Sequence, residues 1–195
     1  MRGTWLWVLR LLTLAAGTTA CASHSATARH MTQVEQTALE EHSPEKLLRR
    51  GRAFLRIGDH TRAIQYFTDA IRAGAREPEV ARPLMLAYVE SNQYRLAIDF
   101  GQDYLRRHPD DYRLHFLVGT LLNAVGRHDA AVQHLREVVR LNARFAEAHY
   151  VLAVVYRDHE REPVLADSHF RQYLGLQPDG AHASEAKAGL LRSVQ

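Results

Sequence analysis

From residue 44 to residue 180 the apolar positions of the chain return on a fixed ruler. Ala63, Ala97 and Ala131 stand 34 residues apart, and Ala166 follows after 35. Around each of them lies the same order of slim and bulky positions. Gly51, Met85, Gly119 and Ala153 form a small or slim column, with Phe54, Tyr88, Leu122 and Tyr156 three residues further on. Phe67, Gly101, Leu135 and Phe170 form a third column, followed by Ala70, Tyr104, Val138 and Tyr173. A period of this length is one supersecondary unit that cannot hide its apolar stripe alone, so neighbouring units must stack to bury a continuous core. The pattern predicts paired helices at 45–57 and 60–73, 79–91 and 94–107, 112–125 and 128–141, and 146–158 and 163–175. A ninth, at 182–193, would cap the open end with a more polar outer face.

The residues between the apolar runs agree with this division. Ser43-Pro44-Glu45 offers a capping hydroxyl, Pro at the first helical position and an acid in the first turn. Gly58, Asn92 and Gly126 can take the left-handed conformation that ends a first helix. Pro109 and Pro178 follow second helices that they could not continue. Three departures stand out. Arg50 fills a slot that holds Leu84, Val118 and Leu152 later, which suits an exposed first unit. Pro83 falls early in a first helix and is expected to delay its start. The fourth unit carries one extra residue and no glycine across Asp158–Pro163, so its turn is expected to be irregular.

Over about residues 44–180 the columns resemble the tetratricopeptide repeat, whose period is 34. The resemblance implies an all-α, right-handed superhelical solenoid of about four helix pairs (44–77, 78–111, 112–145 and 146–180) with a capping helix in 181–195. An irregular helical bundle is the alternative fold. The resemblance also implies a concave groove, lined by the first helix of each unit, that receives an extended or helical peptide. Projected onto this chain, the groove takes Arg49, Arg52 and Arg56 from the first unit and Arg82 and Glu90 from the second. Phe116, Thr120 and Asn123 come from the third, and Tyr150, Val154 and Arg157 from the fourth. Such a groove would hold an acidic segment with an apolar anchor. Forked arginines would bind its carboxylates, and Phe116 and Tyr150 would supply rigid contact area. The competing reading makes Arg49–Arg56 a solvated face and Phe116 and Tyr150 core. The slots with which some members clamp a chaperone's C-terminal carboxylate hold Leu48, Pro83 and Leu117 here, with only Arg113 fitting.

The first residues, MRGTWLWVLRLLTLAAGTTAC, follow a different rule. One early cation, an apolar stretch to Ala16 and then small residues have the layout of a secretory signal peptide. With Arg10 inside it, the stretch makes a poor membrane span. Gly17-Thr18-Thr19-Ala20-Cys21 resembles a bacterial lipobox ending on the cysteine that receives lipid, although Thr18 stands where Leu is usual. Residues 1–20 are therefore expected to be removed and Cys21 lipidated. Ala22, which is not Asp, points to the outer membrane facing the periplasm. The alternative is a soluble periplasmic or secreted protein cut after Ala20 or Ala22. Residues 21–43 are polar and rich in small residues, with a short helix expected around Val34–Glu41. They read as a tether spanning roughly 25 Å root-mean-square.

Composition narrows the chemistry. Cys21 is the one cysteine among 195 residues, so no internal disulfide holds the fold. The net charge is +3, but Arg2 and Arg10 lie in the leader. The remaining 23 basic residues face 22 acidic ones, which gives no bulk attraction to nucleic acid. Twelve histidines invite a metal. Yet His60 and His128 share the repeat column of Tyr94, His159-Glu160 lacks a second histidine four residues on, and His128 and His134 fall on different helix faces. Asp110-Asp111 and Glu40-Glu41 read as capping and solvation. No phosphate loop or nucleophile elbow occurs, and no cofactor is expected. The sequence thus predicts a non-enzymatic scaffold that binds a protein or peptide and assists assembly of an envelope complex. A self-assembling repeat, or a pilotin-like factor for a pilus or secretion system, is the alternative. An exposed apolar patch at Phe170–Leu176 or Leu190–Leu191 would favour self-assembly.

Overall fold

The computed structural model describes residues 42–191. The expected leader, Cys21, the tether up to residue 41 with its expected short helix, and the last four residues lie outside them. Nine helices follow one another in the described residues: α1 (Pro44–Arg56), α2 (His60–Arg72), α3 (Glu77–Glu90), α4 (Tyr94–Arg107), α5 (Tyr112–Ala124), α6 (His128–Leu141), α7 (Ala146–Val155, continued by a π-helical turn Tyr156–Glu160), α8 (Pro163–Leu176) and α9 (Ala183–Ala188). Each packs on the next, and first helices of adjacent units also touch, α1 with α3 and α5 with α7. The chain is an all-α solenoid, as the pattern requires.

The core is shared between units and not enclosed within them. Leu47, Phe67 and Ala70 of the first unit pack with Val80, Leu84 and Ala87 of the second. Met85, Ala97 and Tyr104 pack with Leu114, Val118 and Ala131, and Val132 and Leu135 with Leu152, Phe170, Tyr173 and Ala186. Within a unit, volume is complementary across the two helices. Gly51 lies against Phe67 and Gly119 against Leu135, so that a Cβ on either glycine would stand 2.6 Å or 2.9 Å from the larger side chain. The second unit reverses the pairing: Met85 is the large partner and Gly101 the small one, with the Met85 methyl 2.9 Å from where a Cβ would be. The sum of the two columns is conserved because interiors pack at near-crystal density.

The first-helix turns repeat with similar fidelity. Gly58, Asn92 and Gly126 have φ of +77°, +58° and +79°. The amide that follows each donates to the carbonyl five residues back, Asp59 to Phe54, Gln93 to Tyr88 and Arg127 to Leu122. In the fourth unit the extra residue is absorbed as the π-helical turn. Arg161 takes the left-handed position at φ +55°, and the closing bond, Glu162 to Tyr156, reaches six residues back.

Two expectations need correction. Pro83 does not delay α3, which starts at Glu77 with Pro78 in its first turn and carries Pro83 inside. Proline at 83 deprives the Glu79 carbonyl of its helical donor. The Arg52 guanidinium of α1 donates to that carbonyl instead, at 3.4 Å. The capping helix is also shorter than 182–193: α9 has six residues and stops at Gly189, whose backbone lies so close to Phe170 that a Cβ would sit 2.5 Å from the ring.

Candidate functional site

The first helices of the first three units line an open cleft of about 500 Å³. It is lined by Arg52 and Leu55 of α1, Pro78, Glu79, Arg82, Pro83 and Leu86 of α3, and Leu117 of α5. The floor is largely aliphatic and Leu86 is 43% exposed within it. Two cations stand at its sides, Arg52 and Arg82. Neither has a carboxylate within ion-pair distance among the described residues, whereas Arg62, Arg72, Arg95, Arg106, Arg140 and Arg171 are each paired.

The other residues projected into the groove are distributed differently. Arg49 borders a separate depression on α1 with Lys46, Arg50 and Ala53. Arg56 and Glu90 are exposed at the last positions of α1 and α3. Phe116 is half-buried and meets Phe145 edge-on, with ring centroids 4.9 Å apart. Asn123 accepts from His128 Nδ1 at 2.8 Å, and Thr120 donates to the Leu117 carbonyl. Val154 packs partly buried against the core.

Tyr150 and Arg157 are engaged by the chain itself. His182 stacks on Tyr150 with centroids 3.9 Å apart and planes 10° from parallel. The Tyr150 hydroxyl donates to Glu185, and the Arg157 guanidinium donates to the other oxygen of that carboxylate at 3.2 Å. Burial and the adjacent carboxylate push the Tyr150 hydroxyl up to about 12, so it stays a donor, and the same hydrogen bond holds Glu185 below its ordinary range. At the fourth unit, therefore, α9 covers the surface that the sequence assigns to a partner. What covers it there is an acid beside a stacking ring.

Sequence reasoning passed over two histidine pairs. His115 Nδ1 lies 3.0 Å from His134 Nδ1, and His149 Nδ1 lies 3.0 Å from His169 Nδ1. The inner ring of each pair donates from Nε2 to the carbonyl that precedes its unit, Pro109 or Ala143, at 3.1 Å. In the first two units the same columns hold Leu47 with Tyr66 and Ala81 with Phe100. That recurrence of a polar residue in a buried column was the available signal. Desolvation and then the partner ring lower His134 and His169 to about 4. Among the described residues no group of three or more histidine, cysteine or acidic side chains is placed to hold a metal. No described helix is long and apolar enough to cross a membrane.

Comparison with known proteins agrees with the geometry. The tetratricopeptide-repeat family model matches residues 34–78, 84–143 and 119–181. Among solved structures the chain is similar to YrrB, described as a tetratricopeptide-repeat protein with an unusual peptide-binding site. The two are 22% identical over 87% of this chain and 88% of that one, with a TM-score of 0.66. It is similar also to MamA from Desulfovibrio magneticus RS-1, at 19% identity over 86% and 99% of the chains and a TM-score of 0.64. The Cut9–Hcn1 hetero-tetramer of APC/C gives 21% identity over 76% of this chain and 30% of that one, with a TM-score of 0.63. A search of the curated proteins returned no match.

Proposed function

The chain belongs to the tetratricopeptide-repeat family, and on that premise we propose that it is a non-catalytic adaptor. Its concave cleft would hold an acidic segment of a partner protein, with an aliphatic or aromatic side chain as the anchor. The observation that carries this reading is the pair of arginines without carboxylates, Arg52 and Arg82, flanking an aliphatic floor with an exposed Leu86. A partner carboxylate would complete charge-assisted hydrogen bonds there, and burial of Leu86 and Leu117 would contribute the apolar part of the affinity. The contacts made by Glu185 and His182 at the fourth unit are of the same chemical type and lend it support. So does the peptide-binding site ascribed to YrrB.

We place this adaptor, on its leader and Cys21, at the outer membrane facing the periplasm, where it would assist assembly of an envelope complex. Self-assembly has less support. Of the two patches that would favour it, Phe170 and Tyr173 of the first are buried beneath α9, while Leu191 of the second is 47% exposed. The deciding experiment is a crosslinked pull-down from native membranes with wild type and an Arg52→Glu, Arg82→Glu variant. Recovery of one envelope protein with wild type and its loss with the variant supports the reading. Equal recovery overturns the cleft assignment. Recovery of the chain alone in both turns the case toward self-assembly. Extraction of membranes with high salt tests the anchor separately, because salt removes electrostatic attachment: wild type should stay in the membrane, and its release would refute lipidation of Cys21.

A further inference from the structure

The fourth unit presents the chemistry that the cleft of the first three units lacks. Asp129, Glu160 and Glu162 border a hollow of about 480 Å³ together with Leu165. Among the described residues none of these three carboxylates has a cation within ion-pair distance, whereas the nearby Asp158 and Asp167 are each held by an arginine. Arg136, in the same hollow, donates to the Tyr156 hydroxyl at 2.7 Å. In the first turn of α8 Val164 is 69% exposed and Leu165 38%. The irregular turn that carries the acids is held in one shape. Arg161 takes φ +55°, and the Glu162 amide donates to the Tyr156 carbonyl at 2.9 Å. A segment already ordered in this way loses little freedom when it binds.

We infer that this acidic, aliphatic edge of one copy docks in the cleft of a second copy. Glu160 and Glu162 would meet Arg52 and Arg82, and Val164 and Leu165 would cover Leu86. The inference rests on the cleft reading above and names a second copy of this chain as an occupant. Each side supplies what the other leaves open: carboxylates without cations and cations without carboxylates, next to aliphatic side chains that both expose. No residue of the fourth unit lines the cleft, so the two surfaces are distinct and the contact is head-to-tail. It differs from association through Phe170–Leu176, because the turn before α8 stands clear of α9. Exposed ion pairs contribute little each. The contact is therefore weak and reversible, and another protein with the same chemistry would compete for the cleft.

The test uses the chain from residue 21 onward with Cys21→Ser, so that neither an acyl chain nor a disulfide between copies contributes. Sedimentation velocity is measured across a concentration series. Wild-type repeats should associate as concentration rises, and added salt should weaken the association. A cleft variant, Arg52→Glu with Arg82→Glu, and an edge variant, Glu160→Lys with Glu162→Lys and Val164→Ser, should each raise the association midpoint by at least about tenfold. Mixed together they should form a one-to-one complex, since each retains the surface that the other has lost. That complex also shows that both variants are folded. A wild type that stays monomeric, association retained by either variant, or no complex on mixing would each overturn the inference. The edge variant keeps an intact cleft, so its pull-down of other envelope proteins tests the adaptor reading independently of these outcomes.

Discussion

His149 and His169 meet Nδ1 to Nδ1 at 3.0 Å, one repeat along from the same meeting of His115 and His134. A carbonyl only accepts, so the Nε2 of His149 that bonds Ala143 must carry the proton, and its Nδ1 is the acceptor for His169 Nδ1–H. The same assignment holds for His115 and His134. Each pair is therefore satisfied when both rings are neutral. A second proton on the inner ring would set two N–H groups against each other.

Acid should weaken the third and fourth units. His134 and His169 lie near 4 in the folded state, below the ordinary 6.5. Their neutral forms thus stabilise the fold above about pH 6.5, and that contribution is lost as pH falls toward about 4. Their partial exposure limits the loss to about 1–2 kcal/mol for each pair. Urea midpoints measured between pH 7 and pH 4 should fall accordingly. His115→Leu with His134→Tyr, which copies Leu47 and Tyr66, should flatten the profile; an unchanged profile would show that these pairs do not carry it.

Volume exchange across a helix pair should be measurable at the first unit. A Cβ at Gly51 would stand 2.6 Å from the Phe67 ring, which supplies the three atoms nearest to it. Gly51→Ala is expected to cost about 1–3 kcal/mol through overpacking, more than the roughly 1 kcal/mol regained in helix propensity. Combined with Phe67→Leu, the loss should be smaller than the sum of the two single losses. Additive losses in denaturant titrations would mean that the helices move apart freely.

Arg52 has a structural task besides the one proposed for it. Arg52→Ala should lower stability by about 0.5 kcal/mol, because the exposed Glu79 carbonyl exchanges the guanidinium for water. In a Pro83→Ala background the helical amide returns, and the same substitution should cost almost nothing. Equal costs in both backgrounds, read from thermal melts, would remove the link between Arg52 and Pro83.

The C-terminal helix buries Ala183 and Ala186 against the fourth unit and adds the polar contacts of Glu185. Glu185→Ala is expected to cost about 0.5–1.5 kcal/mol, because it releases both Tyr150 and Arg157. Ending the chain at Asp179 uncovers Phe170 and Tyr173 and should cost about 2–4 kcal/mol. Calorimetry that found truncation no worse than Glu185→Ala would show that α9 does not seal the fourth unit.

The repeat was legible because its causes are local. The 34-residue spacing of Ala63, Ala97 and Ala131, the capping residue Ser43, and the left-handed positions of Gly58, Asn92 and Gly126 depend on neighbours within one or two turns. Even the irregular fourth turn could be anticipated from one surplus residue and a missing glycine. Size complementarity was half visible: Met85 and Gly101 stand in their columns in the sequence, and only the packed helices show that the large and small partners have changed places in the second unit.

The arrangement of the surface could not be read in this way. Arg49, Arg52 and Arg56 share one helical stripe, yet Arg52 turns to the cleft and to Glu79 while Arg49 borders another hollow. Tyr150 and Arg157 have the spacing of groove residues, and α9 reaches back over them from 28 to 35 positions away. The histidine pairs join residues 19 and 20 positions apart on different helices. Periodicity assigns a residue to a face of its own helix. Which partner meets that face depends on how the solenoid curves and where its last helix folds back, and both follow from packing summed over all the units.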